Sequence, residues 1–358
     1  MVDDPAAALE GLALRPGARL ALAVPDLTRP MDTPGAVRAL AARFGDHPGS
    51  VIVGLGAHRP MTDAELAPLR AVSTWPVLNH DPDACTSLGE VDGVPCLVHP
   101  AIAEADAVLA VGKVELHQYA GFSGGHKAVS IGCGGRETLA AMHARDMVCH
   151  PDVVVGRLAG NPFRDRVDAL GRACGLGFAL QALPDGRWVG GDPEDALRVA
   201  AAALDPWRWV DRAYDTCVLR VPRAKAVNAY QASRAPTYLA LSPAPPLVDG
   251  ARLIVDAACP EGVGLGSGER ALAEVLRRFA PPWAEVLTGP PPRGAGVQRV
   301  FIFARLAQRY RMIFAGCDDP APLRAVGLDA TATPADALAG PDALVVEAPF
   351  ERLPQLRG

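Results

Sequence analysis

The sequence predicts an α/β fold of two α/β domains with largely parallel sheets, and three observations carry that expectation. Short, continuously apolar runs alternate with segments whose apolar residues recur every three or four positions, the pattern of strands buried on both faces between amphipathic helices. The chain has 358 residues, about twice what one domain usually takes. Its 36 glycines and 34 prolines supply the tight turns that such alternation needs.

Strands are expected at Arg19–Val24, Val51–Leu55, Ala107–Val111, Val153–Val155, Cys217–Val221, Arg252–Ala257, Met312–Ala315 and Ala343–Glu347. Helices are expected at Pro34–Phe44, Asp63–Val72, Glu137–Met147, Asn161–Cys174, Pro193–Leu204, Gly268–Phe279 and Val297–Tyr310. No internal repeat interrupts the series. A boundary is expected within Leu204–Tyr214, where a helix ends and Trp207 and Trp209 cluster, which divides the chain into domains 1–207 and 208–358. The soft stretch Thr288–Gly296 reads as a loop inside the second domain. In such folds, sites collect at the carboxyl ends of the strands.

Composition narrows the function. A formal net charge of -5 leaves no basic surplus to offset a phosphate backbone, so nucleic acid is not an expected partner. The first ten residues, MVDDPAAALE, are acidic where a secretory leader is basic and then apolar, and no apolar run reaches membrane-spanning length. A cytoplasmic protein without membrane partners is expected. Eight scattered cysteines contain no CxxC pair, which argues against a zinc ribbon or a disulfide framework and for buried, reduced thiols.

Two residue counts point to chemistry. Only Lys113, Lys127 and Lys225 are lysines among 35 basic residues. A chain that writes arginine wherever a plain cation suffices keeps lysine where an amine is needed. All eight histidines fall between His47 and His150, so imidazole chemistry belongs to the first half.

The densest segment is Glu115–Arg136, ELHQYAGFSGGHKAVSIGCGGR, in which six glycines surround Lys127 between a strand and a helix. Glycines let backbone N–H groups approach a phosphate, and a plain glycine turn fits the same residues. His126 reads equally as a solvated neighbour of Lys127. His143 is expected in the following helix, facing back toward the glycines, although a lone helical histidine is often a core or surface residue. His58 follows a strand, and His117 precedes the glycines. Asp26 and Arg29 also follow a strand; a helix N-cap with a surface cation is the plain alternative.

Taken in order, PDLTRP (25–30), GAHRPMTDAEL (56–66), HQYAGFSGGHK (117–127), His143, NPFR (161–164), NAYQASR (228–234) and CPEGVG (259–264) resemble the nickel-dependent lactate racemase family over nearly the whole chain. The resemblance implies two α/β domains with a cofactor and substrate cleft between them, the first carrying catalysis and cofactor binding and the second closing the cleft. The cofactor is a nickel-pincer nucleotide, Ni(II)-pyridinium-3,5-bisthiocarboxylic acid mononucleotide, made by dedicated synthesis enzymes. By this resemblance Lys127 carries the cofactor through a thioamide, His143 completes the nickel coordination, and Asp26, Leu27, Thr28 and Arg29 contact the cofactor. His58 and His117 are the acid–base pair for a small 2-hydroxy acid that gives its Cα hydride to the cofactor. Gln231 and Arg234 bind substrate.

Two departures accompany the resemblance. Arg234 stands where the family usually has lysine, keeping the charge and adding a bidentate grip on carboxylate. Only 25 residues precede Asp26, so an N-terminal segment of the longer family members is expected to be trimmed. Rival readings are a nickel-free relative that exchanges the Cα proton with the help of a divalent cation, and a non-catalytic binder of cofactor or hydroxy acid. A zinc hydrolase is disfavoured, since no HExxH or similarly tight ligand spacing exists.

Overall fold

A computed structural model describes residues 1–56, 58–292 and 296–357. Ala57 of the His58 motif and part of the soft 288–296 stretch lie outside the described residues. The chain divides into two compact units, each assembled from three segments. The first comprises 1–115, 122–142 and 158–205; the second takes 116–121, 143–157 and 206–358. Two short pieces that precede residue 207 therefore belong to the second unit.

The first unit is built on a six-stranded sheet, ordered Trp188–Gly191, Leu176–Ala182, Ala107–Lys113, Leu20–Pro25, Gly49–Gly54, Val77–Asn79. Every pairing is parallel except that of the Trp188–Gly191 edge strand. Leu20 through Val24 are buried without a break, as a strand covered on both faces requires. The order of strand addition reverses at this strand: the next two strands lie on one side, and Ala107–Lys113 and Leu176–Ala182 on the other. The carboxyl ends of Leu20–Pro25 and Ala107–Lys113 thus flank a topological switch point, the usual place for a ligand in an open α/β sheet.

Helices cover the sheet with caps written into the sequence. Asp32 accepts from Gly35 N at the head of Thr33–Phe44. Thr62 and Glu65 form a capping box on Asp63–Arg70, and Asn161 accepts from Phe163 N and Arg164 N ahead of Pro162–Ala173. Each cap satisfies amide donors that the first turn leaves open.

The second unit carries an all-parallel five-stranded sheet, ordered Asp329–Ala330, Arg311–Ala315, Leu247–Asp256, Tyr214–Arg220, Leu344–Val346. Trp207–Val210 pairs in parallel with Leu353–Leu356. Among the described residues no helix is long and apolar enough to cross a membrane. All eight cysteines are free, and six are buried.

Three sequence expectations are corrected. Val153–Val155 is not a strand; it runs through turns between His150 and Gly160, and its apolar content reflects the burial of Val153 and Val155 rather than pairing. Leu176–Ala182 is a central strand that the pattern concealed, because Gly175, Gly177 and the fully buried Gln181 interrupt its apolar run. The helix expected over Glu137–Met147 breaks into Arg136–Met142 and Arg145–Val148, with Ala144 extended between them, so His143 sits in a turn.

Candidate active site

In the first unit, four sequence-selected positions gather along neighbouring carboxyl ends of the sheet. Asp26 follows the Leu20–Pro25 strand directly. Its Oδ1 accepts from the amide and hydroxyl of Thr28 at 3.1 and 2.6 Å, so it folds its own turn; the cap of the next helix is Asp32. Its Oδ2 stands 2.7 Å from His58 Nδ1. Burial alone would raise the Asp26 carboxyl, but the His58 hydrogen bond and charge, Thr28 and the Arg29 guanidinium together hold it well below the usual carboxylate range. An ionised carboxylate can only accept, so His58 carries a proton on Nδ1 and its Nε2 is left to receive one.

Arg29 is not a surface cation. It is largely buried and ion-paired with Glu115, which ends the Ala107–Lys113 strand's excursion, so the pair spans the switch point. Beside it, Ser123 closes the neck of the 116–121 loop, donating to Lys113 O at 2.6 Å and receiving from Glu115 N at 3.0 Å. Leu27 is 60% exposed, an apolar side chain left open next to two ion pairs.

Lys127 opens the short helix Lys127–Ser130 and is half-buried. The turn after this helix is tied to the His58 loop by Gly56 N donating to Gly132 O at 2.9 Å. The glycines around Lys127 have packing reasons. A Cβ on Gly124, whose φ is +95°, would lie 2.3 Å from Gln181 Oε1, and one on Gly125 would meet Leu197 and Pro193 at 3.1 Å. The NPFR arginine completes the arrangement: buried Arg164 donates to Phe122 O at 3.0 Å and to Asp168 at 3.0 Å, clamping the glycine loop from below. His126 is buried rather than solvated; burial lowers its pKa to about 4 despite nearby Glu194, so it is a neutral core residue.

In the second unit, His117, Tyr119 and His143 form a row of rings. The Tyr119 ring meets His117 edge-on at 5.9 Å and His143 edge-on at 5.7 Å. His117 is buried, and its Nδ1 accepts from the amides of Tyr119 and Ala120 at 3.3 and 3.1 Å. Amides can only donate, so the His117 proton resides on Nε2. The two acid–base candidates are therefore set in opposite tautomers.

The NAYQASR and CPEGVG motifs meet in this unit. Ala229 N and Tyr230 N donate to Gly262 O and Val263 O, and Asn228 caps its own helix while donating to Glu261 at 2.9 Å. Gln231 is buried and Arg234 half-buried on consecutive short helices, Ala229–Ala232 and Arg234–Ala240.

The remaining histidines are structural. His80 Nε2 donates to Gly134 O at 3.0 Å, His99 accepts from Ala101 N at the head of a helix, His47 Nδ1 faces Ala18 O, and His150 accepts from Asp152 N. Sequence reasoning missed Glu115, Tyr119 and Arg299. Glu115 and Tyr119 lie inside the motif stretch and were signalled by it; Arg299 has no local signal.

Among the described residues no three His, Cys, Asp or Glu converge on a metal position. In the first unit Lys127 offers an amine and Leu27 an exposed apolar side chain; in the second, His143 offers a single imidazole.

Residues 5–156 match the family model for the lactate racemase N-terminal domain. The chain is 29% identical over 171 residues to the lactate racemase of Lactiplantibacillus plantarum, a stretch covering 45% of this chain and 40% of that protein. It is 36% identical over 83 residues to the lactate racemase of Thermoanaerobacterium thermosaccharolyticum, covering 23% of this chain and 19% of that one. The matched stretches thus span well under half the length of these relatives. In fold, the lactate racemase apoprotein of the latter organism aligns over 100% of this chain and 94% of its own with a TM-score of 0.81 at 17% identity. A Thermotoga maritima protein aligns over 99% and 96% with a TM-score of 0.78 at 16% identity. Through residues 5–156 the chain is thus similar to the lactate racemase N-terminal domain, and over its whole length it shares the fold of the lactate racemase apoprotein.

Proposed function

We propose that the protein is a cytoplasmic racemase or epimerase of a small 2-hydroxy acid, working with a nickel-pincer nucleotide attached to Lys127. The observation that carries the reading is the Asp26–His58 pair, a carboxylate-oriented imidazole beside the sheet's topological switch point on the same loop system as Lys127.

The cofactor, when bound, supplies the centre that accepts and returns the Cα hydride. Everything else falls to side chains of this chain. Asp26 holds the His58 ring with its proton on Nδ1, so Nε2 takes the hydroxyl proton as the Cα–H bond breaks. His117 presents Nε2–H as a hydrogen-bond donor to the substrate oxygen. Arg234 and Gln231 hold the carboxylate. Lys127 bears the attachment, His143 supplies the imidazole ligand, and the Asp26–Arg29 turn lies along the cofactor.

The test is to produce the protein together with the cofactor-synthesis enzymes and to measure metal content and intact mass. One nickel and a mass increment on Lys127 are expected, both absent from Lys127→Arg; an adduct that persists in that variant rejects the attachment. Turnover in deuterated water should leave the original hydrogen at Cα, and solvent exchange there would instead favour proton abstraction without nickel.

A further inference from the structure

The second unit buries a guanidinium that no carboxylate neutralises among the described residues. Arg299, on the Gln298–Ala307 helix, is 1% exposed. Its Nη1 donates to Gln118 Oε1, and its Nη2 donates to Ser233 Oγ at 2.6 Å and Thr237 Oγ1 at 3.1 Å. All three partners are neutral. Among the described residues its Nε finds no acceptor, nor does that of Arg234, and neither arginine takes part in an ion pair.

The same residue joins the two parts of the second unit that carry candidate chemistry. Gln118 lies between His117 and Tyr119, whose amide holds the His117 tautomer. Ser233 lies between the helices of Gln231 and Arg234, immediately before Arg234. Burial lowers the Arg299 pKa; the Tyr119 and Tyr230 hydroxyls oppose that shift, and repulsion from Arg234 adds to it more weakly. A buried, unbalanced charge is costly to keep, and an anion arriving beside Arg234 relieves it.

We propose that Arg299 is the positioning residue of a carboxylate-binding site centred on Arg234 and Gln231. It fixes the Ser233 turn against the His117 loop, and its uncompensated charge selects an anionic ligand over a neutral isostere. Being almost wholly enclosed, it acts through Ser233, Gln118 and its field. The inference rests on the hydroxy-acid reading above and adds the source of its carboxylate selectivity.

The experiment measures binding of sodium lactate and of lactamide, its uncharged counterpart, to the full chain by calorimetry. The wild-type protein should prefer lactate. Arg299→Met, which keeps the packing volume and removes the charge, should reduce that preference roughly tenfold, and Arg299→Lys should recover part of it. A folded Arg299→Met that retains the full preference overturns this inference and leaves the hydroxy-acid reading standing; a wild-type chain that binds neither compound removes both. Should Arg299→Met fail to fold, Ser233→Ala keeps the charge and releases one contact. Weaker lactate binding with the lactate-to-lactamide ratio held supports the positioning role, and unchanged binding refutes it. In the cofactor-loaded enzyme, Arg299→Met should raise KM for lactate more than it lowers kcat.

Discussion

His58 Nδ1 and Asp26 Oδ2 are 2.7 Å apart, and this short contact divides the labour of the first unit's site. Asp26 is supplied by the end of one strand and His58 by the loop after its neighbour, and parallel pairing of Pro25 with Gly54 puts the two in register. One partner fixes a tautomer, and the other is left with a basic nitrogen.

Replacing Asp26 by Asn should leave the fold intact and reduce kcat of the cofactor-loaded enzyme by about 10² to 10⁴, with a small change in KM. Removal of the carboxylate takes away the acceptor that fixes the His58 tautomer. Steady-state kinetics with both enantiomers of lactate provide the check, and a variant within threefold of wild type would remove Asp26 from the mechanism.

The opposite tautomers of His58 and His117 are open to direct observation without any cofactor. Nitrogen-15 spectra of histidine-labelled protein above pH 8 should show a proton on Nδ1 for His58 and on Nε2 for His117. Finding Nδ1–H on His117 would contradict its two amide donors.

The glycine loop depends on Arg164. Arg164→Met should lower stability by about 3 to 5 kcal/mol, because Asp168 stays half-enclosed without its partner and the Phe122 carbonyl loses its donor. Urea unfolding reads this as a lower midpoint at unchanged slope; an unaltered midpoint would mean that the loop holds itself.

Acid should weaken the protein through two buried imidazoles. Burial lowers His80 and His126 each to about 4, whereas an unfolded chain binds those protons near pH 6.5. The unfolded state thus holds more protons between these values, and stability falls as pH drops from about 6.5 to 4, by roughly 2 to 3 kcal/mol for each residue. Unfolding midpoints at pH 7 and pH 4.5 test this, and His126→Gln should flatten the dependence. Equal midpoints in the parent protein would mean that both imidazoles accept protons in place.

The fold class was legible because continuous apolar strands and capped amphipathic helices are local patterns; Leu20–Val24 and the Thr62–Glu65 capping box need no tertiary context. What stayed hidden depended on distant partners. Leu176–Ala182 reads as broken by two glycines and Gln181, yet Gln181 is the buried residue that Gly124 approaches from another segment. His143 shares apolar spacing with a helix that Ala144 ends by turning extended. The motif stretches located Asp26, His58, His117 and Lys127, but the ion pair of Arg29 with Glu115 joins residues 86 apart in sequence, and the bond from Arg299 to Gln118 joins residues 181 apart. Neither separation leaves a mark on local composition.

The interleaving of segments 116–121 and 143–157 with the second unit has a consequence for handling the molecule. Arg145 donates to Gly289 O at 2.6 Å, and a Cβ on Gly156 would strike the Trp207 ring at 2.3 Å, so these pieces are seated on sequence that the ribosome delivers later. A fragment stopped near residue 205 would expose both pieces with nothing to rest on, and a fragment begun there would lack them. Seating of the 116–121 and 143–157 pieces, with His117 and His143 on them, must await synthesis of residues 206–358.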